Sequence, residues 1–192
     1  MEGNQLFPAF IKLSQVKVLI VGAGEVGWEK VSLLARHISN AQLKIVAPEI
    51  KEEIRTLIAQ YPSIELVEKE FQITDLEGVQ LVIAATAIKD LNREVYQAAK
   101  EKKILINVAD TPELCDFYLS SVVKKGDLKI AISTNGKSPT LGKRIKELLQ
   151  EAIPEETNQL LERLQEIRNE LVGDFEEKVK QLDEITEVFK KK

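Results

Sequence analysis

Apolar runs of four to six residues alternate with amphipathic stretches along the first part of the chain. The runs are Val16–Val21, Leu43–Ala47, Ile64–Val67, Leu81–Ala85 and Ile104–Asn107. Helical spacing of apolar positions characterises Glu25–His37, Glu49–Tyr61 and Asp90–Lys102. Short apolar runs that alternate with amphipathic helices are typical of βαβ units, so the pattern predicts an open parallel sheet with helices on both faces.

The pattern changes after about residue 110. Phe117–Val123 and Leu128–Thr134 are strand-like and flank Lys125-Gly126-Asp127, which predicts an antiparallel hairpin. Ser138 and Pro139 are suited to the cap and first turn of a helix over Thr140–Ile153. From Pro154 onward, apolar residues recur at every third or fourth position as far as Phe189, and Gly173 is predicted to separate two helices.

A glycine pattern, Gly22-Ala-Gly24-Glu-Val-Gly27, lies directly between the first strand and the first helix. Gly22 allows the tight turn, Gly24 lets the backbone approach a pyrophosphate, and Gly27 permits close packing of helix on strand. In this context the pattern predicts dinucleotide binding. Glu49, after the second strand, is placed to bind the ribose hydroxyls and repel a 2′-phosphate, which favours NAD over NADP. Negative charge at a helix N-terminus is the alternative role of Glu49.

Polar residues also follow the fourth and fifth strands. Thr86 comes after the fourth, and Asn107 and Asp110 lie at the end of the fifth, where open α/β sheets bind ligands. A carboxylate at Asp110 could act as a general base near a nicotinamide. An Asp before Thr111-Pro112 is equally typical of a turn, and position alone does not separate these interpretations.

The net charge of −4 conceals a basic segment. Between Lys124 and Lys146 there are seven basic residues and one acidic residue, Asp127. This segment favours a small polyanionic ligand over nucleic acid, because it lacks aromatic residues and the chain is acidic overall. The alternative is that its charged residues only form a solvent-exposed surface. Lys137 and Ser138, with backbone amides at the helix start, could bind carboxylates, or could form only a helix cap.

The composition restricts the chemistry further. One Cys excludes internal disulfides, and one His excludes a two-histidine metal motif. Cys115 is expected to be a small buried residue rather than a nucleophile, and His37 a partner of a helix C-terminus. The chain has no apolar stretch long enough to span a membrane and no export signal, so a cytoplasmic location is expected.

These motifs, in this order, resemble the precorrin-2 dehydrogenase family of siroheme biosynthesis, the dehydrogenase and ferrochelatase module of siroheme synthases. The resemblance covers about residues 7–150. Its most specific part is Ile130-Ala-Ile-Ser-Thr-Asn-Gly-Lys-Ser-Pro139. The other matching segments are Phe7-Pro8, Val18–Val26 with Lys30, Val46–Glu49, Ala85-Thr86 with Leu91-Asn92, Asn107–Asp110, Cys115–Phe117 and Ser121–Val123.

The resemblance implies NAD-dependent oxidation of precorrin-2 to sirohydrochlorin, a tetrapyrrole polycarboxylate, with Fe²⁺ insertion as a further activity of some relatives. It places Asp110 at the catalytic aspartate and Ser121 near the active site, although Ser120 replaces the usual proline. It assigns the NAD site to Gly22, Gly24, Glu25, Val26, Pro48, Glu49, Thr86, Asn107 and Val108. Lys124, Lys137 and Ser138 are the remaining candidates for substrate binding.

The expected architecture is α/β, with a Rossmann NAD-binding domain (1–112), a hairpin-plus-helix segment (113–153) and a C-terminal helical region (154–192). The resemblance implies a homodimer formed through the central segment and a stand-alone enzyme without a fused methyltransferase. A nucleotide-sensing module that binds NAD without turnover is the alternative from a different functional class. An NADP-dependent reductase of another small acid is the third.

Overall fold

A computed structural model describes residues 3–37 and 41–186, without the side chains of residues 36 and 37. The predicted role of the His37 side chain, and the end of the apolar stripe at Phe189, therefore lie outside the described residues. The described residues form two compact groups, which we call the sheet unit (Phe7–Leu119) and the hairpin unit (residues 3–6 and 120–186).

The sheet unit contains five parallel strands. They are β1 (Lys17–Val21), β2 (Gln42–Ala47), β3 (Ile64–Glu68), β4 (Leu81–Ala84) and β5 (Leu105–Val108), in the spatial order β3-β2-β1-β4-β5. Helices α1 (Glu25–His37), α2 (Glu52–Ile58) and α3 (Lys89–Glu101) connect them, with 3₁₀ turns at Ile73–Leu76 and Pro112–Leu114. The predicted Rossmann-type architecture is confirmed.

Helices cover both faces of the sheet, and alternate residues of each strand point to opposite faces, so both sets are buried. Val18 and Ile20 of β1 lie in one apolar cluster with Val31 of α1 and Ile54 of α2. Leu19 and Val21 lie in the other, with the α3 residues Val95, Ala98 and Ala99. A continuous apolar run such as Val18–Val21 is therefore required in a strand at the centre of the sheet.

One charged residue is buried beside this sheet. Asp75, in the first 3₁₀ turn, is 5% exposed. Its carboxylate accepts hydrogen bonds from Lys44 Nζ at 2.8 Å and from the backbone N–H of Gln72 at 3.0 Å, and it pairs with Lys69 Nζ at 2.9 Å. Burial alone would raise the pKa of Asp75, but these donors together hold the pKa below its ordinary value.

The second helix is shorter than the sequence predicted. A helix over Glu49–Tyr61 was expected, but α2 spans Glu52–Ile58. Its start is delayed because the backbone N–H of Lys51 donates to Ala23 O at 3.0 Å, which ties the preceding loop to the glycine turn. Its end precedes Pro62, which disfavours helical backbone at Tyr61. Glu49 therefore lies in a loop, outside the first turn of the helix.

The hairpin unit contains the antiparallel strands β6 (Ser121–Lys125) and β7 (Leu128–Ile132), then helices α4 (Pro139–Ala152), α5 (Thr157–Glu170) and α6 (Phe175–Thr186). The first strand of the hairpin, β6, begins at Ser121 and not at the predicted Phe117. Asn107 Nδ2 donates to Phe117 O at 2.8 Å, so this part of the chain is bound beside β5 in the sheet unit. The prediction that Gly173 separates two helices is correct.

The start of α5 is fastened to the turn of the hairpin. Asn158 Oδ1 accepts a hydrogen bond from the backbone N–H of Asp127 at 2.9 Å, and Lys125 forms an ion pair with Glu155. A Cβ added to Gly126 would come within 2.1 Å of Asn158 Oδ1, so glycine is required there. The predicted division at residues 112 and 153 differs from the division into two compact units and remains a prediction.

No helix among residues 3–37 and 41–186 is long and apolar enough to cross a membrane.

Candidate functional site

The candidate site lies along the carboxyl edge of the parallel sheet. The register pairs Val21 with Val46 and with Ala84, and pairs Ala84 with Val108, so four strands end at the same level. The loops after β2, β1, β4 and β5 therefore follow one another along this edge, spanning about 14 Å at ordinary strand spacing. The strand order reverses between β1 and β4, which is the switch point where dinucleotides bind in such sheets.

Two of the three motif glycines are required by the protein itself. Gly22 has a φ of 105°, and a Cβ there would lie 2.4 Å from Ala85 O. A Cβ on Gly27 would lie 2.2 Å from Gly22 O. Backbone atoms thus exclude any side chain at Gly22 and at Gly27, which agrees with their predicted roles in the turn and in helix packing.

Gly24 is different, because a Cβ added there would meet no atom of the described residues within 4 Å. Its carbonyl accepts the first hydrogen bond of α1 from the Trp28 N–H at 2.8 Å, so it lies at the helix N-terminus. Packing within the part of the chain that the structure describes gives no reason for glycine at this position. An open face at a helix N-terminus fits the close approach of a pyrophosphate.

Glu25 and Glu49 occupy different environments at this edge. Glu25 Oε1 accepts a hydrogen bond from Lys51 Nζ at 2.6 Å, and this contact raises the pKa of Lys51. Glu49 is exposed, and no hydrogen bond or ion pair of its side chain occurs within the described part of the chain. Because α2 begins only at Glu52, the structure disfavours Glu49 as a helix N-terminal charge and leaves its carboxylate free for a ligand.

Thr86 is held in place by a residue that was not singled out for the site. Asn92, on α3, is 6% exposed. Its Oδ1 accepts hydrogen bonds from the Thr86 N–H at 3.2 Å and from Thr86 Oγ1 at 2.8 Å, while its Nδ2 donates to Thr86 O at 3.1 Å. Asn92 therefore fixes the loop after β4. The sequence signals for this role were the six-residue spacing, a polar residue on a buried helix face, and the match of Ala85-Thr86 with Leu91-Asn92 to the family.

Asn107 and Val108 shape the loop after β5. Asn107 is 7% exposed, and its Nδ2 donates to Phe117 O at 2.8 Å. The Cys115 thiol donates to Val108 O at 3.2 Å and accepts from the Val108 N–H at 3.3 Å. Burial raises the pKa of the Cys115 thiol, which disfavours the thiolate. Cys115 packs beside the core but is half-buried, so it is less enclosed than the buried residue that was predicted.

Asp110 follows directly after this strand end. It is exposed and has a φ of 56°, in the left-handed region that few residues other than glycine, asparagine and aspartate adopt. Within the described residues its carboxylate has no hydrogen-bond or ion-pair partner. The turn at Asp110 uses only the backbone of this residue, so its carboxylate is available for chemistry.

In the hairpin unit, the loop between β7 and α4 is built from hydroxyl contacts. Ser138 Oγ accepts a hydrogen bond from the Leu141 N–H at 3.1 Å and caps α4, as predicted. Thr134 Oγ1 donates to Ser138 O at 3.1 Å and accepts from the Ser138 N–H at 3.3 Å. The Ser138 hydroxyl is thus committed to the helix cap, which favours the alternative interpretation over a carboxylate site at that atom.

The other predicted substrate residues lie on two parts of this unit. Ser121 faces α4, with its Oγ 3.3 Å from where a Cβ on Gly142 would be. Lys124 is exposed and paired in register with Lys129. Like charges directly opposite each other destabilise a hairpin, so this pair suggests an anionic ligand. Lys137 is exposed on the loop before α4.

Comparisons with known proteins agree with this geometry. Residues 9–121 match the family described as NAD(P)-binding, and residues 125–152 match the family described as sirohaem biosynthesis protein central. The chain belongs to the NAD(P)-binding family. The dinucleotide-binding interpretation of the glycine pattern is confirmed, and NAD is the cofactor that the comparisons support.

The resemblance to siroheme biosynthesis proteins is also confirmed. A siroheme synthase of Psychrobacter arcticus is 36% identical over 165 residues, which are 86% of this chain and 30% of that protein. Siroheme synthase 3 of Aeromonas hydrophila is 39% identical over 148 residues, 77% of this chain and 31% of that protein. The chain thus spans about a third of the length of these curated relatives. The solved structure of SirC, a precorrin-2 dehydrogenase, is similar with a TM-score of 0.73 and 28% identity, covering 94% of this chain and 89% of that one.

Proposed function

We propose that this NAD-binding chain is a dehydrogenase that oxidises precorrin-2 to sirohydrochlorin in siroheme biosynthesis. The observation that carries the proposal is that two features share one sheet edge: an open Gly24, and an Asp110 carboxylate without a partner among the described residues. The similarity to a precorrin-2 dehydrogenase over nearly the whole chain supports the choice of substrate.

The residues of the sheet edge divide the binding of NAD among them. The amides at the start of α1, with Gly22, Gly24, Glu25 and Val26, receive the pyrophosphate. Glu49, next to Pro48, binds the adenosine ribose hydroxyls. Thr86, Asn107 and Val108 lie beyond the switch point and border the nicotinamide. Bound NAD⁺ supplies a hydride acceptor.

Asp110 performs the proton transfer in this proposal. Oxidation removes two hydrogens from precorrin-2, one as a hydride to NAD⁺ and one as a proton. A carboxylate without a partner in the described chain can accept that proton, and the left-handed backbone at Asp110 fixes the direction in which its side chain leaves the backbone. Backbone strain of this kind is common at functional sites.

The hairpin unit is assigned to the substrate. Precorrin-2 is a polycarboxylate, and the exposed Lys124 and Lys137 provide cations on two parts of this unit. Ser121 and the loop around Ser138 are the polar candidates of the same unit. We also propose a homodimer formed through the hairpin segment in the cytoplasm, since a two-stranded hairpin is unstable by itself. Insertion of Fe²⁺ into sirohydrochlorin, a lyase activity, would use Asp110 to accept the pyrrole protons.

Anaerobic incubation with precorrin-2 and NAD⁺, followed by absorbance, tests the proposal. Asp110→Asn keeps the tolerance for left-handed backbone and removes the charge, so turnover should fall at least 100-fold, the lower range of general-base catalysis, while NAD binding is retained. Glu113→Gln removes a nearby exposed carboxylate and is the matched control. Normal turnover by Asp110→Asn would refute the assignment, and NAD binding without any turnover by the unaltered protein would favour the sensor module. Addition of Fe²⁺ tests metal insertion.

Charge reversal at Lys124 and Lys137 tests the substrate surface. Exposed cations contribute about 0.2–1 kcal/mol each, so the double variant should raise KM several-fold without changing NAD affinity.

A further inference from the structure

Two cations lie near the ribose end of the sheet edge. Lys51 precedes α2, and Arg55 lies within it. Glu68, at the end of β3, pairs in register with Ala47, which directly precedes Pro48-Glu49. In dinucleotide-binding sheets this is where an arginine accommodates the 2′-phosphate of NADP. By position alone, a protein with two cations there could accept NADP.

Both cations are already engaged by carboxylates. Arg55 Nη2 donates to Glu68 Oε2 at 2.6 Å, and Arg55 Nε lies 4.0 Å from Glu52 Oε2. Lys51 Nζ lies 2.6 Å from Glu25 Oε1 and 3.2 Å from Glu53 Oε1. Each cation thus has two acidic neighbours. Glu49 adds a further carboxylate to this edge, one that has no partner within residues 3–37 and 41–186. A phosphate that approached Arg55 would also approach the Glu68 carboxylate.

From these contacts we infer that Glu68 is a specificity-determining residue, which selects NAD over NADP by neutralising Arg55. This inference rests on the proposed assignment of the ribose end to the loop after β2. Glu49 disfavours NADP by repelling its 2′-phosphate, whereas Glu68 disfavours NADP by forming an ion pair with the arginine that a 2′-phosphate requires. Specificity by an arrangement that disfavours the wrong ligand is common in proteins.

The geometry of β3 allows the effect of the Glu68–Arg55 contact to be distinguished from the effect of a change in net charge. Ile64 and Leu66 pack in the cluster that contains Ile54 of α2, so Glu68 lies on the same face of β3 as α2. Glu65 lies three positions earlier, about 10 Å along the strand, and its side chain points to the opposite face. Glu65→Gln therefore changes the net charge by the same amount without releasing Arg55.

The test measures binding of NAD and NADP directly, with no tetrapyrrole present. The single tryptophan, Trp28, lies four residues after Gly24 in α1, so its fluorescence is the chosen readout of binding. Glu68→Gln should tighten NADP binding roughly 3- to 10-fold, the range expected when one exposed repulsive carboxylate is removed beside a freed cation. NAD binding should change less than twofold, because NAD carries no 2′-phosphate.

The gain must depend on Arg55. Arg55→Met should leave NADP affinity unchanged in the unaltered background and should abolish the gain in the Glu68→Gln background. The inference is wrong if Glu65→Gln produces the same gain, if the gain survives Arg55→Met, or if Arg55→Met alone weakens NADP binding. These outcomes are independent of precorrin-2, so a failure of the proposed dehydrogenase activity would be recognised separately.

Discussion

Substitution of alanine for each of two motif glycines should separate cofactor binding from stability. In Gly24→Ala the new methyl meets no atom of residues 3–37 or 41–186 within 4 Å, whereas in Gly22→Ala it lies 2.4 Å from Ala85 O. We therefore expect Gly24→Ala to fold normally and to bind NAD poorly. Gly22→Ala should be unstable whether or not NAD is present.

The magnitudes follow from the local geometry. At Gly24, the loss of a glycine helix cap costs up to about 1 kcal/mol, and the smaller entropy of the unfolded chain offsets about 0.4–1 kcal/mol of it. At Gly22, strain at a φ of 105° costs about 1–3 kcal/mol and overpacking about another 1–3 kcal/mol. Since a domain of this size loses about 2–4 °C in Tm per kcal/mol, Gly22→Ala should lower Tm by roughly 5–20 °C.

The expected effect on binding is a steric one. A methyl group that faces the pyrophosphate should cost about 1–3 kcal/mol, or roughly 5- to 150-fold in the Kd for NAD. Trp28 fluorescence measures the Kd, and thermal unfolding followed by circular dichroism measures Tm. If Gly24→Ala binds NAD as well as the unaltered protein, or loses as much Tm as Gly22→Ala, the open face at Gly24 is not the pyrophosphate site.

Three further outcomes are expected. Asp75→Asn should lower the free energy of unfolding by about 2–3 kcal/mol, because it leaves two partly exposed lysines without their anion. The pKa of Asp75 is lower in the folded than in the unfolded state. The stabilisation by its carboxylate is therefore complete above the unfolded pKa and is lost as the pH falls through the folded pKa. Urea titrations between pH 3 and 7 should show this acid dependence shrinking in the variant, and an unchanged profile would contradict it. Asn92→Ala should weaken NAD binding through a displaced Thr86, with Asn92→Asp retaining part of the affinity, whereas equal loss in both variants would argue against the acceptor role of Oδ1. The Cys115 thiol should react with iodoacetamide more slowly in the folded protein than in urea, because burial raises its pKa; equal rates would contradict that.

The sheet and its cofactor edge could be predicted because their signals are local. Val18–Val21 is an uninterrupted apolar run that ends at glycine, and such a run has few alternatives to a central parallel strand. The helix cap at Ser138 was predictable for the same reason, since a hydroxyl before Pro139 is a signal contained in two adjacent residues.

The contacts that depend on register could not be predicted in this way. Arg55 and Glu68 are 13 positions apart and meet only because β3 pairs with β2 at a particular register. The buried Asp75 is similar, because its partners come from β2 and from the end of β3. Lys44 within an otherwise apolar strand was a signal that an acid must lie nearby, but it did not specify which one.

The Asn4 side chain donates a weak hydrogen bond to Ser133 Oγ at 3.4 Å, so residues at the beginning of the described chain belong with the hairpin unit. The sheet unit is consequently an insertion within the other unit, and the polypeptide passes between them twice. Proteolysis at either crossing alone would leave the units covalently joined. An expression fragment of residues 7–119 is continuous, whereas reconstituting the remainder requires a designed connection between residues 6 and 120.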